Sequence, residues 1–237
     1  MIVNIAHLYP DLLNLYGEQG NILALIDGFK NQNVNVVLDK LTINDKIDFS
    51  KYDIIYLGSG SLENLLIAAK DIKKHEKKLK EYIDDNKYLI ATGSSYLLFG
   101  KYIKIDDINY DCANVFDYYS VENNNKIVAA SFFKYKDSFS PIIGFQNRRF
   151  IVNINDHHLF SVISGYGDNY KSSFEGYHYK NFFGTHLIGP LLIRNPEFLN
   201  HIIKDILENK DLKFHEDINT SNYKAYNEYL KNFYENA

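Results

Sequence analysis

The stretch YLIATGSSYLLFG, residues 88–100, decides how this chain folds. Residues 88–91 are apolar in succession, as a strand buried on both faces of a parallel sheet requires. Thr92-Gly93-Ser94-Ser95 then breaks the run, and a helical pattern starts after it. Many α/β enzymes hold a nucleophile at such a turn, but this one contains no cysteine. Three readings follow: a serine active site, a ligand cradle, or a site that has lost its chemistry.

The same arrangement occurs upstream. Residues 52–57, with DIIYL at their centre, form a second strand that is apolar on both faces. It ends in Gly58-Ser59-Gly60-Ser61, and residues 62–83 follow as one or two helices. Strand, glycine turn, helix, repeated, predicts an α/β fold with a parallel sheet. Functional groups in such sheets gather at the carboxyl ends of the strands. Both glycine turns lie there, and they become neighbours if their strands are adjacent.

Working outward, residues 1–6 and 34–38 read as strands, and a helical pattern follows Gly20-Asn21 through Phe29. Beyond residue 126 the chain changes character. Short strands are expected at 127–133, 142–145, 150–154, 159–164 and 182–187, with a turn at Gly165-Tyr166-Gly167-Asp168-Asn169. Residues 196–208 read as a helix with Asn195 as its N-cap, and a last helix is expected over 222–234. There is no internal repeat and no low-complexity linker. The expectation is one domain over residues 1–237, with a helical tail from about 209 to 237.

Composition narrows the function classes. A net charge of −4 gives no general attraction to nucleic acid. The lysines of residues 70–80 are interleaved with acids and read as a solvated helix face. The single cysteine, Cys112, forms no intrachain disulfide, which suits a reducing compartment. No signal-peptide layout and no membrane-length apolar run occur, so a cytoplasmic protein without membrane insertion is expected.

Four segments, in this order and spacing, carry a resemblance. They are LYPDLLNLYGEQGNI (residues 8–22), LGSGSLENL (57–65), IATGSSYLLFGKYI (90–103), and GFQN, GYGDN, EG and GTHLIGPLLIRNPE within 144–197. Together they resemble the class I glutamine amidotransferases of the cobyric acid synthase type, among them the glutaminase subunits of lipid II isoglutaminyl synthases. The resemblance spans roughly residues 1–208. It implies a three-layer, flavodoxin-like α/β fold, its central sheet mostly parallel with additional antiparallel strands. It also implies cell-wall (peptidoglycan) amidation chemistry and no cofactor. The implied partner is a Mur-ligase-like, ATP-using subunit that receives ammonia in a heterodimer.

The departures from the family pattern fall on its chemistry. The family's nucleophilic cysteine aligns with Gly93, and its catalytic histidine aligns with Ile188. Glutaminase chemistry needs a thiolate and a base that shares its proton, and neither residue here supplies one. The family glutamine after the elbow is Leu97, and a substrate-side arginine falls on Lys126 in a loose alignment. The resemblance therefore implies a catalytically silent subunit, structural or regulatory. The substrate-side positions carried over are Gly58, Gly60, Ser94, Lys126 and Arg148.

Two other readings stay open. Ser94, with His186 as its base, is a relocated hydrolytic pair, although His186 lies two residues before the family's histidine position. Alternatively, amides after Gly58 and Gly93 form a cradle for a small anion. The remaining motifs have plainer readings. Cys112 reads as an unreactive thiol. Asp156-His157-His158 reads as a polar loop, since adjacent residues on a strand point to opposite faces. Asp168, Asn169, Glu175 and Gly176 match structural positions of the family. Asn147-Arg148-Arg149 reads either as exposed arginines or as a pair at the pocket mouth facing an acidic ligand.

Overall fold

The computed structural model describes residues 1–135, 140–154, 156–218 and 220–235. Of the expected tail, Asn219, Asn236 and Ala237 lie outside the described residues.

The chain runs β1 (Ile2–Leu8), α1 (Gln19–Asn31), β2 (Asn35–Leu41), β3 (Ile54–Leu57), α2 (Leu62–Ile72), α3 (Glu76–Asp84) and β4 (Tyr88–Thr92). The second half runs β5 (Tyr102–Ile105), β6 (Ile108–Asp111), β7 (Tyr119–Lys134), β8 (Ile142–Asn153), β9 (His158–Ser164), β10 (Phe174–Tyr179) and β11 (Phe182–Thr185). Helices α4 (Leu191–Arg194), α5 (Pro196–Glu208) and α6 (Ser221–Glu235) close the sequence.

One sheet joins these strands in the order β2-β1-β3-β4-β11-β10-β9-β7-β5-β6, with β8 paired to β7. From β2 to β11 the pairing is parallel. From β11 to β7 it is antiparallel. Strands β3, β4 and β11 are buried on both faces, while the edge strand β2 is not, and successive residues of the central strands enter different cores. Ile54, Tyr56, Tyr88 and Ile90 pack with α1 and α5 residues such as Leu25, Phe29, Phe198 and Ile202. Ile55, Leu57, Leu89 and Ala91 pack with Leu65, Ile72 and Leu79 of α2 and α3. Helix layers on both faces explain why these strands lack a polar side.

The glycine turns meet as the adjacency of their strands requires: β3 and β4 are hydrogen-bonded neighbours, with Leu57 opposite Ala91. Several local expectations are corrected. The helix expected after Gly93 is a 3-10 turn over Gly93–Phe99. The two strands expected within 142–154 are one continuous strand, β8. Asn195 precedes α5 but makes no side-chain cap bond. Its amide instead accepts from Ile143 N (2.7 Å) and donates to the Ile143 and Leu191 carbonyls. No helix among the described residues is long and apolar enough to cross a membrane.

Candidate functional site

Gly93 is the first residue after β4 and has φ +62°. That left-handed conformation costs an L-residue with a side chain roughly 1–2 kcal/mol. Gly93 N donates to the Leu187 carbonyl (3.0 Å), which pins the elbow against the chain just past β11. A Cβ placed on Gly93 would stand 2.6 Å from both Cβ and Oγ of Ser59 and 3.1 Å from Cγ2 of Ile188. The volume a nucleophile's side chain would enter is therefore occupied by the residues of two neighbouring loops.

The amides at this edge are also engaged. Ser94 N donates to Ser59 Oγ (3.1 Å), and Gly60 N donates to Ser94 Oγ (2.9 Å). The two hydroxyl oxygens lie 3.2 Å apart, and Ser94 Oγ is 3.3 Å from the Gly60 carbonyl. The pair forms a closed ring of hydrogen bonds that takes up the donors an oxyanion or small anion would use. Ser95 is fully buried and bonds only to the Leu57 and Thr92 carbonyls.

Beneath the elbow lies Glu18, a residue the sequence reading did not single out. It is fully buried in the turn before α1. Its Oε2 accepts from Tyr56 Oη (2.6 Å) and Thr92 Oγ1 (2.8 Å), and its Oε1 accepts from Gly189 N (3.3 Å). Burial raises its pKa, and these hydrogen bonds oppose the rise. One carboxylate thus ties β3, β4, the loop after β11 and the entry to α1. A Cβ on Gly58 would stand 2.5 Å from its Cγ, so Gly58 makes room for this carboxylate.

His186 is buried, and its Nδ1 lies 3.2 Å from Glu175 Oε1 and 3.8 Å from Asp168 Oδ1. Its Nε2 has no hydrogen-bond partner, and Ser94 Oγ is bonded to Ser59 and Gly60 instead. The two members of the suggested hydrolytic pair are therefore not joined by a hydrogen bond. Burial, and then the charge of Arg148, holds His186 well below the usual histidine range. Burial raises both carboxyls, and the charge of Asp168 raises Glu175 further.

Arg148 is buried, not at an exposed mouth. It donates to Gln146 Oε1 and to the carbonyls of Phe150, Gly167 and Asp168. Its guanidinium is thus spent on the turn that carries Asp168. Ligand atoms of Asp168, Glu175 and His186 lie within 4.8 Å of one another. Asp168 Oδ1 already accepts from Gly176 N, and Glu175 accepts from His186 N and Thr185 Oγ1. The trio reads as a buried hydrogen-bonded cluster next to a guanidinium, a poor setting for a cation.

A cavity of about 240 Å³ opens over the elbow. Ser59, Gly60, Gly93 and Ser94 form part of its lining, together with Leu62, Leu65, Leu97 and Phe150. Lys126, Arg149 and Glu122 also line it, as does His186. Lys126 and Arg149 are exposed, and Arg149 lies 3.8 Å from Glu122. Of the other candidates, Cys112 is buried and its thiol is pushed up to about 12 by burial and by Asp111. His157 and His158 line no part of this cavity.

Comparison with known proteins agrees with this architecture. The profile of the CobB/CobQ-like glutamine amidotransferase domain matches residues 4–196. The GatD subunit of lipid II isoglutaminyl synthase (glutamine-hydrolyzing) from Staphylococcus aureus is 32% identical over 213 residues, 90% of this chain and 87% of that one. The corresponding subunit from Streptococcus pneumoniae is 29% identical over 88% of this chain and 82% of that one. The solved structure of PurLQS from Thermotoga maritima aligns with a TM-score of 0.60 at 13% identity, over 89% of this chain and all of that one, a likeness of fold. With a matching domain over most of its length and a GatD relative above 30% identity, the chain belongs to the CobB/CobQ-like class I glutamine amidotransferase family and is GatD-like.

Proposed function

We propose that this chain is a non-hydrolysing GatD-like subunit, structural or regulatory, of a lipid II isoglutaminyl synthase-type assembly in the cytoplasm. Its GatD relatives are, by name, subunits of that synthase. The partner we propose is an ATP-using, Mur-ligase-like chain, which would take ammonia from solution or not use it.

One observation carries the reading. At the elbow, residue 93 has no side chain, and the place of that side chain is taken by Ser59 and Ile188, 2.6 and 3.1 Å away. Ile188, in the family's histidine position, offers no proton acceptor. Removing a catalytic nucleophile and its base costs about six orders of magnitude in a well-studied hydrolase. The hydroxyl ring at Ser59 and Ser94 weighs against the alternatives, since it engages both the serine and the amides that a hydrolase or an anion cradle would need.

The test is a glutaminase assay on the purified chain, alone and with its ligase subunit, beside labelling with an electrophilic glutamine mimic. The expected result is no glutamate release above background and no adduct on any side chain. Turnover of about 1 s⁻¹ or more, abolished by Ser94→Ala, would overturn the proposal in favour of the Ser94 hydrolase.

A further inference from the structure

Helix α6 is amphipathic but only partly seated. Tyr223, Tyr226, Leu230 and Phe233, spaced three, four and three residues apart, give it one apolar face. Of its residues only Tyr223 and Tyr226 are buried. Tyr226 joins Phe132 of β7 and Ile143 of β8 in a small core of their own, against which Leu230 and Phe233 pack half-buried. The rings of Phe132 and Phe233 stack with centroids 3.7 Å apart. A helix of this length draws its stability from packing more than from propensity, and its carboxyl-terminal half has packing on one side only.

Along the other side runs an open groove of about 440 Å³, between Tyr229, Asn232 and Phe233 of the helix and Ala130, Phe132 and Ser164 of the sheet. None of these residues lines the elbow cavity. Tyr229 on the rim is 47% exposed, and Val128, on the same face of β7 as Ala130, is 55% exposed. An exposed aromatic beside an apolar groove marks a contact surface. The outer face of α6 identifies what covers it. Lys224, Glu228, Lys231 and Glu235 are exposed and, four, three and four residues apart, share the side opposite the apolar face. Reversed, the order Lys-Glu-Lys-Glu becomes Glu-Lys-Glu-Lys. A second α6 laid antiparallel, with a two-fold axis between residues 229 and 230, sets Lys224 opposite Glu235 and Glu228 opposite Lys231. A parallel copy in register sets like charges together.

From this we infer that the α6 face joins two copies of this chain in a two-fold dimer. Such a contact uses the same patch on both copies, and each copy here supplies both the groove and its occupant. Tyr229 of one copy lies over Ala130 and Phe132 of the other, and the charges of the two helices pair along the rim. The contact is independent of the elbow's chemistry, because no residue of the groove lines the elbow cavity. With the proposed ligase-type partner, the assembly then holds two of each chain.

Sedimentation velocity of the full chain over a range of micromolar concentrations tests it. A monomer–dimer equilibrium that shifts with concentration is expected. Tyr229→Asp is expected to weaken the dimer about thirtyfold or more, the loss of a central aromatic anchor. Lys231→Glu sets like charges against each other twice across the axis and is expected to weaken it about fivefold. Both positions are exposed, so loss of the fold is not the expected cause. Adding Glu228→Lys to Lys231→Glu restores opposite signs between the copies and is expected to recover most of the loss. It does not restore the pair between Lys231 and Glu235 within one helix, so recovery reads the contact between copies. A chain that stays monomeric at every concentration, a dimer indifferent to Tyr229→Asp, or a charge reversal that Glu228→Lys fails to recover would overturn the inference. So would a ligase-type subunit that displaces the dimer and no longer binds the Tyr229→Asp chain, since the face would then be that partner's.

Discussion

The elbow lines the cavity, the Asp168–Glu175–His186 cluster reaches it through His186, and the two handle buried polarity in opposite ways. At the elbow, Ser59, Ser94 and Gly60 exchange hydrogen bonds among themselves, and Glu18 beneath them accepts from Tyr56, Thr92 and Gly189. In the cluster, His186 Nε2 is buried without a hydrogen-bond partner, and Asp168 Oδ2 faces His158 Nδ1 at 3.8 Å, beyond hydrogen-bond length. Two carboxyls sit there within reach of each other, with Arg148 committed to backbone carbonyls. The difference teaches where the chain has settled into pure structure and where it retains unmet chemistry. The elbow lacks a vacancy for a reactive group. The cluster is where buried polar atoms stay without a hydrogen bond.

The strongest way to break this contrast is to put a side chain back at the elbow. Gly93→Ala meets a left-handed backbone, at roughly 1–2 kcal/mol, and an overpacked contact with Ser59, at roughly 1–3 kcal/mol. A total loss of about 2–5 kcal/mol in urea unfolding is expected. Ser59→Gly in the same chain removes the atoms at 2.6 Å and should return the packing part but not the backbone part. A Gly93→Ala protein as stable as its parent would mean that the elbow is open and that the contrast does not hold.

The parallel half of the sheet was legible because burial on both faces writes a continuous apolar run, and glycine marks the turns at Gly58 and Gly93. The second half was less so. Strands β5 and β6 are short and largely polar on their exposed side, INYD above all, and they give no alternation to count. In β10, Gly176 at φ +76° interrupts FEGYHY, and no strand was expected there. Asn195 looks like a helix cap in sequence, yet its amide is drawn to the β8 backbone, a long-range demand no local pattern records. Glu18 sits in a polar loop sequence and looks solvated. Only the topology, which brings β3, β4 and the Gly189 turn to one point, makes it a buried node. The site's gross position was readable because strand ends are where such sheets work. The hydroxyl ring was not, because it depends on which atoms two turns 35 residues apart present to each other.

A smaller effect separates the two regions by pH. Glu175 is fully buried and its folded pKa is raised to about 8 by burial and by the charge of Asp168. A carboxyl raised on folding keeps its proton in the native state, so stability is lost as pH climbs from the unfolded value toward the folded one. His186 acts in the other sense. Its pKa is lowered on folding, so its cost appears only as pH falls below the ordinary histidine value of about 6.5. Between about pH 6.5 and 8 the carboxyl acts with little opposition, and a loss of about 1–2 kcal/mol is expected there. Asp168→Asn removes the neighbouring charge and should flatten that slope, as read by urea midpoints at several pH values. A slope unchanged by Asp168→Asn would dissolve the coupling between the two carboxyls.

The finest distinction is within the elbow itself. Ser59→Ala deprives Ser94 N of its acceptor, and Ser94→Ala deprives Gly60 N of its own. Each is expected to cost about 1 kcal/mol, the net worth of a hydrogen bond at a site only partly closed to water. Because the two hydroxyls also lie 3.2 Å from each other, the losses should not add. Removing the second hydroxyl takes away a partner already idle, so the double substitution should cost less than the singles together by about 0.5 kcal/mol or more. Strict additivity would mean two independent hydroxyls, each solvated from the cavity. In that case the two turns would be held by separate bonds, Ser94 N to Ser59 and Gly60 N to Ser94, and the elbow would lose the mutual pairing that sets it apart from the cluster.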